Sequence, residues 1–174
     1  MSYKDDWPIL IIVPSSARYQ WLSESTQLLS PEIIPENEIV LFDKNKTYVT
    51  SDTKILIISY GLVDQLKGTI LHEYKNNVII VDECHYMKNI NTNRTKVLIP
   101  LIHKSKRAIL LSGTPALSRP LELFTQLHSL DPKNWADYKV YTCIYVYTTV
   151  TTTILLLFAF LLFYTTVHTK TANV

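Results

Sequence analysis

Residues 78–85 read Val78-Ile79-Ile80-Val81-Asp82-Glu83-Cys84-His85, four apolar β-formers that deliver two carboxylates, a thiol and an imidazole to one point of the chain. A short apolar run with no polar residue at alternate positions suits a strand whose sheet is covered on both faces, as parallel sheets are. The same pattern recurs on either side. Strands are expected at Ile9–Val13, Ile39–Phe42, Lys54–Ser59, Val78–Asp82 and Arg107–Ser112. Helical signals lie between them, at Ala17–Leu29, Gly61–Glu73, Thr92–Lys104 and Pro120–Leu130. Ser15 or Ser16 could cap the first of these, and Pro120 sits where a first-turn proline is tolerated. Strand and helix in alternation predict an α/β fold with a mostly parallel sheet, and such sheets collect ligands at the carboxyl ends of their strands. The unusual residues fall there: Pro14-Ser15-Ser16, Ser59-Tyr60-Gly61, Asp82-Glu83-Cys84-His85 and Ser112-Gly113-Thr114-Pro115.

Composition bounds what this sheet can belong to. The 174 residues suffice for one core, and with 47% hydrophobic and 18% charged residues a disordered or collagen-like chain is excluded. Lys and Arg number 17 against 15 Asp and Glu, a net charge of +2, so bulk charge makes no case for nucleic acid and any such contact must be local. Cys84 and Cys143 are far apart and form no CxxC, which supports neither a disulfide scaffold nor a zinc module and suits an intracellular protein. Met1–Asp6 is polar and Ile9–Val13 is too short for a secretory signal, so none is expected.

The chemistry concentrates at Asp82 and Glu83. A strand-end Asp can hold a hydrated Mg²⁺ bound to nucleotide phosphates, and a neighbouring Glu can orient or deprotonate the attacking water. Adjacent strand residues point to opposite faces, so both acids serve one site only if the chain leaves the strand after Asp82. The plainer alternative is a polar turn with two solvated acids and His85 a bystander. Asp82 and Ser112 are thirty positions apart with one helical signal between them, the spacing of a strand-helix-strand step. The two strand ends are therefore expected side by side, although Ser112-Gly113-Thr114 alone reads as a simple turn. Lys88, Arg94, Lys96, Lys104, Lys106 and Arg107 read as a solvated basic face.

Taken in order, WPILIIVPSSARYQW, ISYGLV, VIIVDECHYMKN and AILLSGTPALSRPLELFTQL resemble the first RecA-like lobe of Swi/Snf-type ATPases in helicase superfamily two, in the annealing-helicase branch. The resemblance covers about Tyr3 to Cys143. It implies ATP and Mg²⁺ as cofactors, with Asp82 as the magnesium residue acting through water, Glu83 as catalytic base, and His85 coupling them to the loop Ser112-Gly113-Thr114. It also implies that Pro14, Ser15, Ser16, Ser59 and Tyr60 contact a DNA backbone. Helix capping is the alternative for the serines. The implied activity is ATP-driven annealing or translocation that rewinds or remodels single-stranded or branched replication-fork DNA, in the nucleus.

Two features set this sequence apart from a whole motor. Its three glycines, Gly61, Gly68 and Gly113, include no GK[ST] phosphate-binding loop, and the 13 residues before Pro14 are fewer than the family places there. Residues 1–139 are therefore read as a partial ATP-binding lobe without its phosphate loop, wanting a second RecA-like lobe and not competent in ATP hydrolysis alone. The alternative is a non-catalytic lobe that binds DNA or protein. Residues 140–174 change character: only Lys170 is charged, and Ile154–Tyr164 is unbroken apolar or aromatic sequence. Val140–Val167 reads as an apolar helix or extension long enough to span a bilayer, with a buried strand pair as the alternative. If genuine, it would tether the lobe to a membrane.

Overall fold

A computed structural model of the chain describes residues 6–43, 49–63, 74–113, 120–139, 141 and 168–169. Five parallel strands form the sheet: β1 (Ile9–Val13), β2 (Ile39–Leu41), β3 (Ile55–Ser59), β4 (Val78–Val81) and β5 (Arg107–Leu110), in the spatial order β2-β3-β1-β4-β5. A two-residue sixth strand, β6 (His168–Thr169), pairs antiparallel with β5. The helices are α1 (Arg18–Leu28), α2 (Tyr60–Val63), α3 (Asn93–Lys104) and α4 (Pro120–Leu130).

The apolar runs became strands because both faces of the sheet are covered. Leu10, Ile12, Leu56, Ile58, Ile79 and Val81 point to one face and pack with Met87 and with Leu98 and Ile102 of α3. Ile11, Val13, Ile55 and Ile57 point to the other, against Ile34 and the half-buried Trp21 and Leu22 of α1. Leu10, Ile12, Ile58 and Ile79 are fully buried, and each such side chain stabilises the fold by about 1.5–3 kcal/mol relative to exposure. Strands β1 and β3 end where expected, whereas β2, β4 and β5 stop one or two residues short. Pairing nonetheless continues past the ends of β4 and β5, with Asp82 N donating to Ile12 O at 2.8 Å and Leu111 N to Val81 O at 2.9 Å.

The helices depart from expectation in instructive ways. No side chain caps α1: Ala17 N donates to Pro14 O at 3.0 Å, so a backbone turn launches the helix and Ser15 and Ser16 stay exposed. The Thr92 hydroxyl caps α3 by accepting from Thr95 N. That helix runs through exposed Pro100, where a missing N–H costs about 3 kcal/mol, because buried Thr95, Leu98 and Ile102 hold it down on the sheet. Of the helix expected at Gly61–Glu73, α2 begins one residue early, and residues 64–73 lie outside the described residues.

The expected membrane span, Val140–Val167, also lies outside the described residues except for Tyr141. Tyr141 is buried and packs against Phe124 of α4 and Trp135, at ring distances of 5.6 and 5.8 Å. Among the described residues no helix is long and apolar enough to cross a membrane. The β6 pairing, Ala108 with His168 and Arg107 with Thr169, was not expected, since two polar residues carry no strand pattern of their own.

Candidate active site

The carboxyl ends of β1, β3, β4 and β5 converge, and Asp82 and Glu83 stand where β4 leaves the sheet. Glu83 takes the left-handed conformation, φ 49° and ψ 51°, which turns the chain through a sharp corner and into a 3-10 turn over Cys84–Met87. For a residue with a Cβ this conformation is strained by about 1–2 kcal/mol. It gives the second acid an orientation that a continuing strand would not. Several contacts hold the corner. The Tyr60 hydroxyl lies 2.7 Å from Asp82 O and 3.3 Å from Glu83 O, and Cys84 N donates to Leu111 O at 2.8 Å.

His85 Nδ1 lies 3.0 Å from Glu83 Oε2 and 3.2 Å from Ser112 Oγ, while Ser112 Oγ is 3.5 Å from the same carboxylate oxygen. Glu83, His85 and Ser112 thus form a triangle joining the end of β4 to the end of β5. Glu83 and His85 keep 39% and 25% side-chain exposure, enough for a reactant to reach them. Gly113 is exposed beside Ser112, whereas Thr114 lies outside the described residues.

Asp82 is held differently. Its Oδ1 accepts the Glu83 backbone N–H at 2.9 Å and its Oδ2 accepts the Trp21 indole N–H at 2.9 Å. A carboxylate oxygen has two lone pairs, so one on each oxygen is left for a water molecule. That donor set fits an outer-shell contact with a hydrated Mg²⁺, which keeps several of its waters. Among the described residues no group of three or more His, Cys, Asp or Glu side chains converges as a directly ligated metal would need.

Beneath this corner the packing is tight. Cys84 is buried and its thiol donates to Gln126 Oε1 at 3.3 Å. Burial, reinforced by the Glu83 charge, pushes that thiol up to about 12. Burial likewise pushes the Tyr60 hydroxyl well above its ordinary range, with the neighbouring Cys84, Asp82 and Glu83 charges adding to it, so it remains a donor. Thr125 donates to Lys88 O at 3.1 Å, which ties α4 to the far end of the same turn. Tyr86 lies between Tyr60 and His85 at ring distances of 5.1 and 4.8 Å.

The residues expected to meet DNA divide into two groups. Ser15 and Ser16 are exposed, and among the described residues neither hydroxyl has a partner, while Pro14 is half-buried beside them. Ser59 and Tyr60 are buried, at 3% and 6% exposure, and the Tyr60 hydroxyl faces inward to Asp82 and Glu83. Tyr60 therefore supports the acidic corner. Sequence reading also passed over Arg18, which follows the exposed serines at the first position of α1 and lies over the Tyr19 ring at 4.8 Å. Of the expected basic face, Lys106 and Arg107 turn instead to Asp6, at 2.8 and 2.7 Å. That pairing, at the strand end opposite the acids, holds the Asp6 carboxyl below its usual range, the Lys106 hydrogen bond most strongly.

The profile of the SNF2-related domain matches residues 1–153. The chain belongs to the SNF2-related domain family. The match runs beyond residue 139, where the charge pattern changes. The human "DNA annealing helicase and endonuclease ZRANB3" is 43% identical over 147 residues, which cover 81% of this chain and 14% of that protein. The Xenopus tropicalis "SWI/SNF-related matrix-associated actin-dependent regulator of chromatin subfamily A-like protein 1" is 40% identical over 130 residues, 75% of this chain and 13% of the relative. This SNF2-related chain thus spans about a seventh of the length of the curated relatives it matches. The Sulfolobus solfataricus SWI2/SNF2 ATPase core in complex with dsDNA superposes with a TM-score of 0.61 at 23% identity, over 80% of this chain and 28% of that one, and shares its fold.

Proposed function

We propose that this SNF2-related chain supplies the acid-base corner and a DNA backbone contact to an ATP-driven DNA annealing or remodelling motor. On its own it binds DNA without turning over ATP. The observation that carries this reading is the triangle of Glu83, His85 and Ser112 beside Asp82, four polar side chains from two strand ends brought together by a strained turn.

In this reading Asp82 would hold a hydrated Mg²⁺ through the lone pairs left on its two oxygens, and the ion would supply charge neutralisation at the ATP phosphates. Glu83, angled away from the strand by its left-handed turn, accepts a proton from the attacking water. His85 and Ser112 hold the Glu83 carboxylate and pass its state to the loop after β5. Clamping of the phosphates, most of phosphoryl-transfer catalysis, needs backbone amides and a lysine that the 174 residues do not include as a GK[ST] loop. A RecA-like second lobe and a phosphate loop are therefore its required partners. Duplex or branched DNA is the proposed polymer partner, supported by relatives whose names give DNA annealing and chromatin regulation, and the nucleus is the proposed place of action.

Ser15, Ser16 and Arg18 form the proposed DNA contact: two hydroxyls that donate to phosphate oxygens and fix register, and one guanidinium for charge. Such contact is independent of base sequence and weakens with salt. The decisive experiment measures duplex DNA binding and phosphate release with the purified chain. Salt-sensitive binding with no ATP hydrolysis is expected, and Arg18→Ala should flatten the plot of log affinity against log salt by about one unit. DNA-stimulated phosphate release that Glu83→Gln abolishes would overturn the non-catalytic part, and salt-insensitive or absent binding would overturn the DNA contact.

A further inference from the structure

Asp82 is restrained from two directions. The bond from Glu83 N to Oδ1 is made by its own chain neighbour and travels with it. The bond from Trp21 Nε1 to Oδ2 comes from a separate element sixty-one positions away, at 2.9 Å. Trp21 sits one turn into α1, the helix that the Pro14-Ser15-Ser16 turn launches. Ala17 N donates to Pro14 O and Trp21 N to Ala17 O, both at 3.0 Å, so a hydrogen-bonded backbone runs from the Pro14 carbonyl, beside the exposed serines, to the residue that carries the indole. The five steps from Ser16 to Trp21 correspond to about 7 Å of helix rise, a short and stiff lever.

The lever has room to move. Helix α1 contains no buried residue and rests on the sheet through half-buried Trp21 and Leu22, whereas α3 is anchored by buried Thr95, Leu98 and Ile102. An N–H···O bond begins to weaken beyond about 3.2 Å, so a shift of α1 by a few tenths of an ångström is enough to slacken the Trp21 bond. We infer that Trp21 is a positioning residue that makes the Asp82 carboxylate follow occupancy of the DNA contact at Ser15 and Ser16. The inference rests on the proposed DNA contact and adds the route by which that contact reaches the acidic site.

The indole itself reports the outcome, because its emission moves to shorter wavelength when its N–H loses an acceptor. The experiment titrates the full chain with a fluorescein-labelled duplex oligonucleotide at low salt, following label anisotropy for binding and, with an unlabelled duplex, tryptophan emission for Trp21. The expected result is an emission shift that saturates at the same DNA concentration as the anisotropy. Trp21→Phe should bind with the same midpoint but lose the shift, leaving Trp7 and Trp135 silent. Asp82→Ala should lose it too, whereas Asp82→Asn, which retains an acceptor oxygen, should keep it. A merely structural tryptophan would not respond to DNA in this way. Binding without an emission shift, or a shift that survives Trp21→Phe or Asp82→Ala, would overturn the inference while leaving the DNA contact intact. Absence of anisotropy change would overturn the DNA contact, and the inference with it.

Discussion

Replacing Tyr60 with Phe removes one oxygen atom and leaves the ring, its burial and its packing on Tyr86 in place. What is lost is the hydroxyl proton shared between Asp82 O, at 2.7 Å, and Glu83 O, at 3.3 Å. A hydroxyl has one proton to give, so the short contact carries most of the bond, and the Asp82 carbonyl is left without it at the point where β4 turns. Deleting one partner of a part-buried hydrogen bond costs about 1–2 kcal/mol, and the strained Glu83 conformation receives no relief in exchange. With a urea slope of about 2 kcal/mol/M for a chain of this size, the unfolding midpoint should fall by about 0.5–1 M. Urea titrations of the two proteins, followed by far-UV circular dichroism, measure the shift directly. A midpoint unchanged by Tyr60→Phe would show that the phenol does not hold the acidic corner and that the left-handed Glu83 conformation does not depend on it.

Three further outcomes are expected. Glu83→Gly should be more stable than Glu83→Ala by about 1 kcal/mol in the same titration, because only glycine occupies φ 49° without strain; alanine matching glycine would deny the strain. Pro100→Ala should raise the urea midpoint by an amount equivalent to about 1–2 kcal/mol, since Pro100 is exposed inside α3 and the change restores a helical N–H, less a smaller loss to unfolded-chain entropy. Stability should fall as pH rises past about 9: the buried Cys84 thiol, held up to about 12, and the buried Tyr60 and Tyr74 hydroxyls keep their protons when folded, while the unfolded chain releases them, from about pH 9 for the thiol and about pH 10 for the phenols. In that range the folded state binds more protons, each such group contributing a slope of about −1.4 kcal/mol per pH unit, and Tyr74→Phe should make the decline of the urea midpoint shallower.

The sheet was legible because parallel strands covered on both faces leave an unambiguous mark: Ile9–Val13, Ile55–Ser59 and Val78–Val81 are apolar or small at every position. Asp82, Glu83, His85 and Ser112 were legible as a group because a single helical signal separates β4 from β5, and these two strands do lie side by side in the sheet. The requirement that the chain leave its strand at Glu83 followed from the alternation of strand side chains, and the φ of 49° meets it. What could not be read is contact between residues remote in sequence. Tyr60 was expected to meet a DNA backbone, but its hydroxyl partner stands twenty-two positions on, and no local pattern encodes that. Trp21 gave no local sign that its indole stands against Asp82. Ser15 and Ser16 had the right chemistry to cap α1, and a backbone turn closed by Pro14 O made a cap unnecessary.

Cys84 stands in sequence between the two acids and the histidine, yet its sulfur lies underneath them, sealed against Gln126. Alkylating reagents attack only the thiolate, and they must reach it. In the intact fold this sulfur satisfies neither condition at neutral pH, so its modification waits on the moments when the Cys84–Met87 turn lifts away from α4. The rate at which a thiol reagent consumes Cys84, read by mass spectrometry of the peptide that carries it, is then a clock for how often the corner holding Asp82, Glu83 and His85 comes apart.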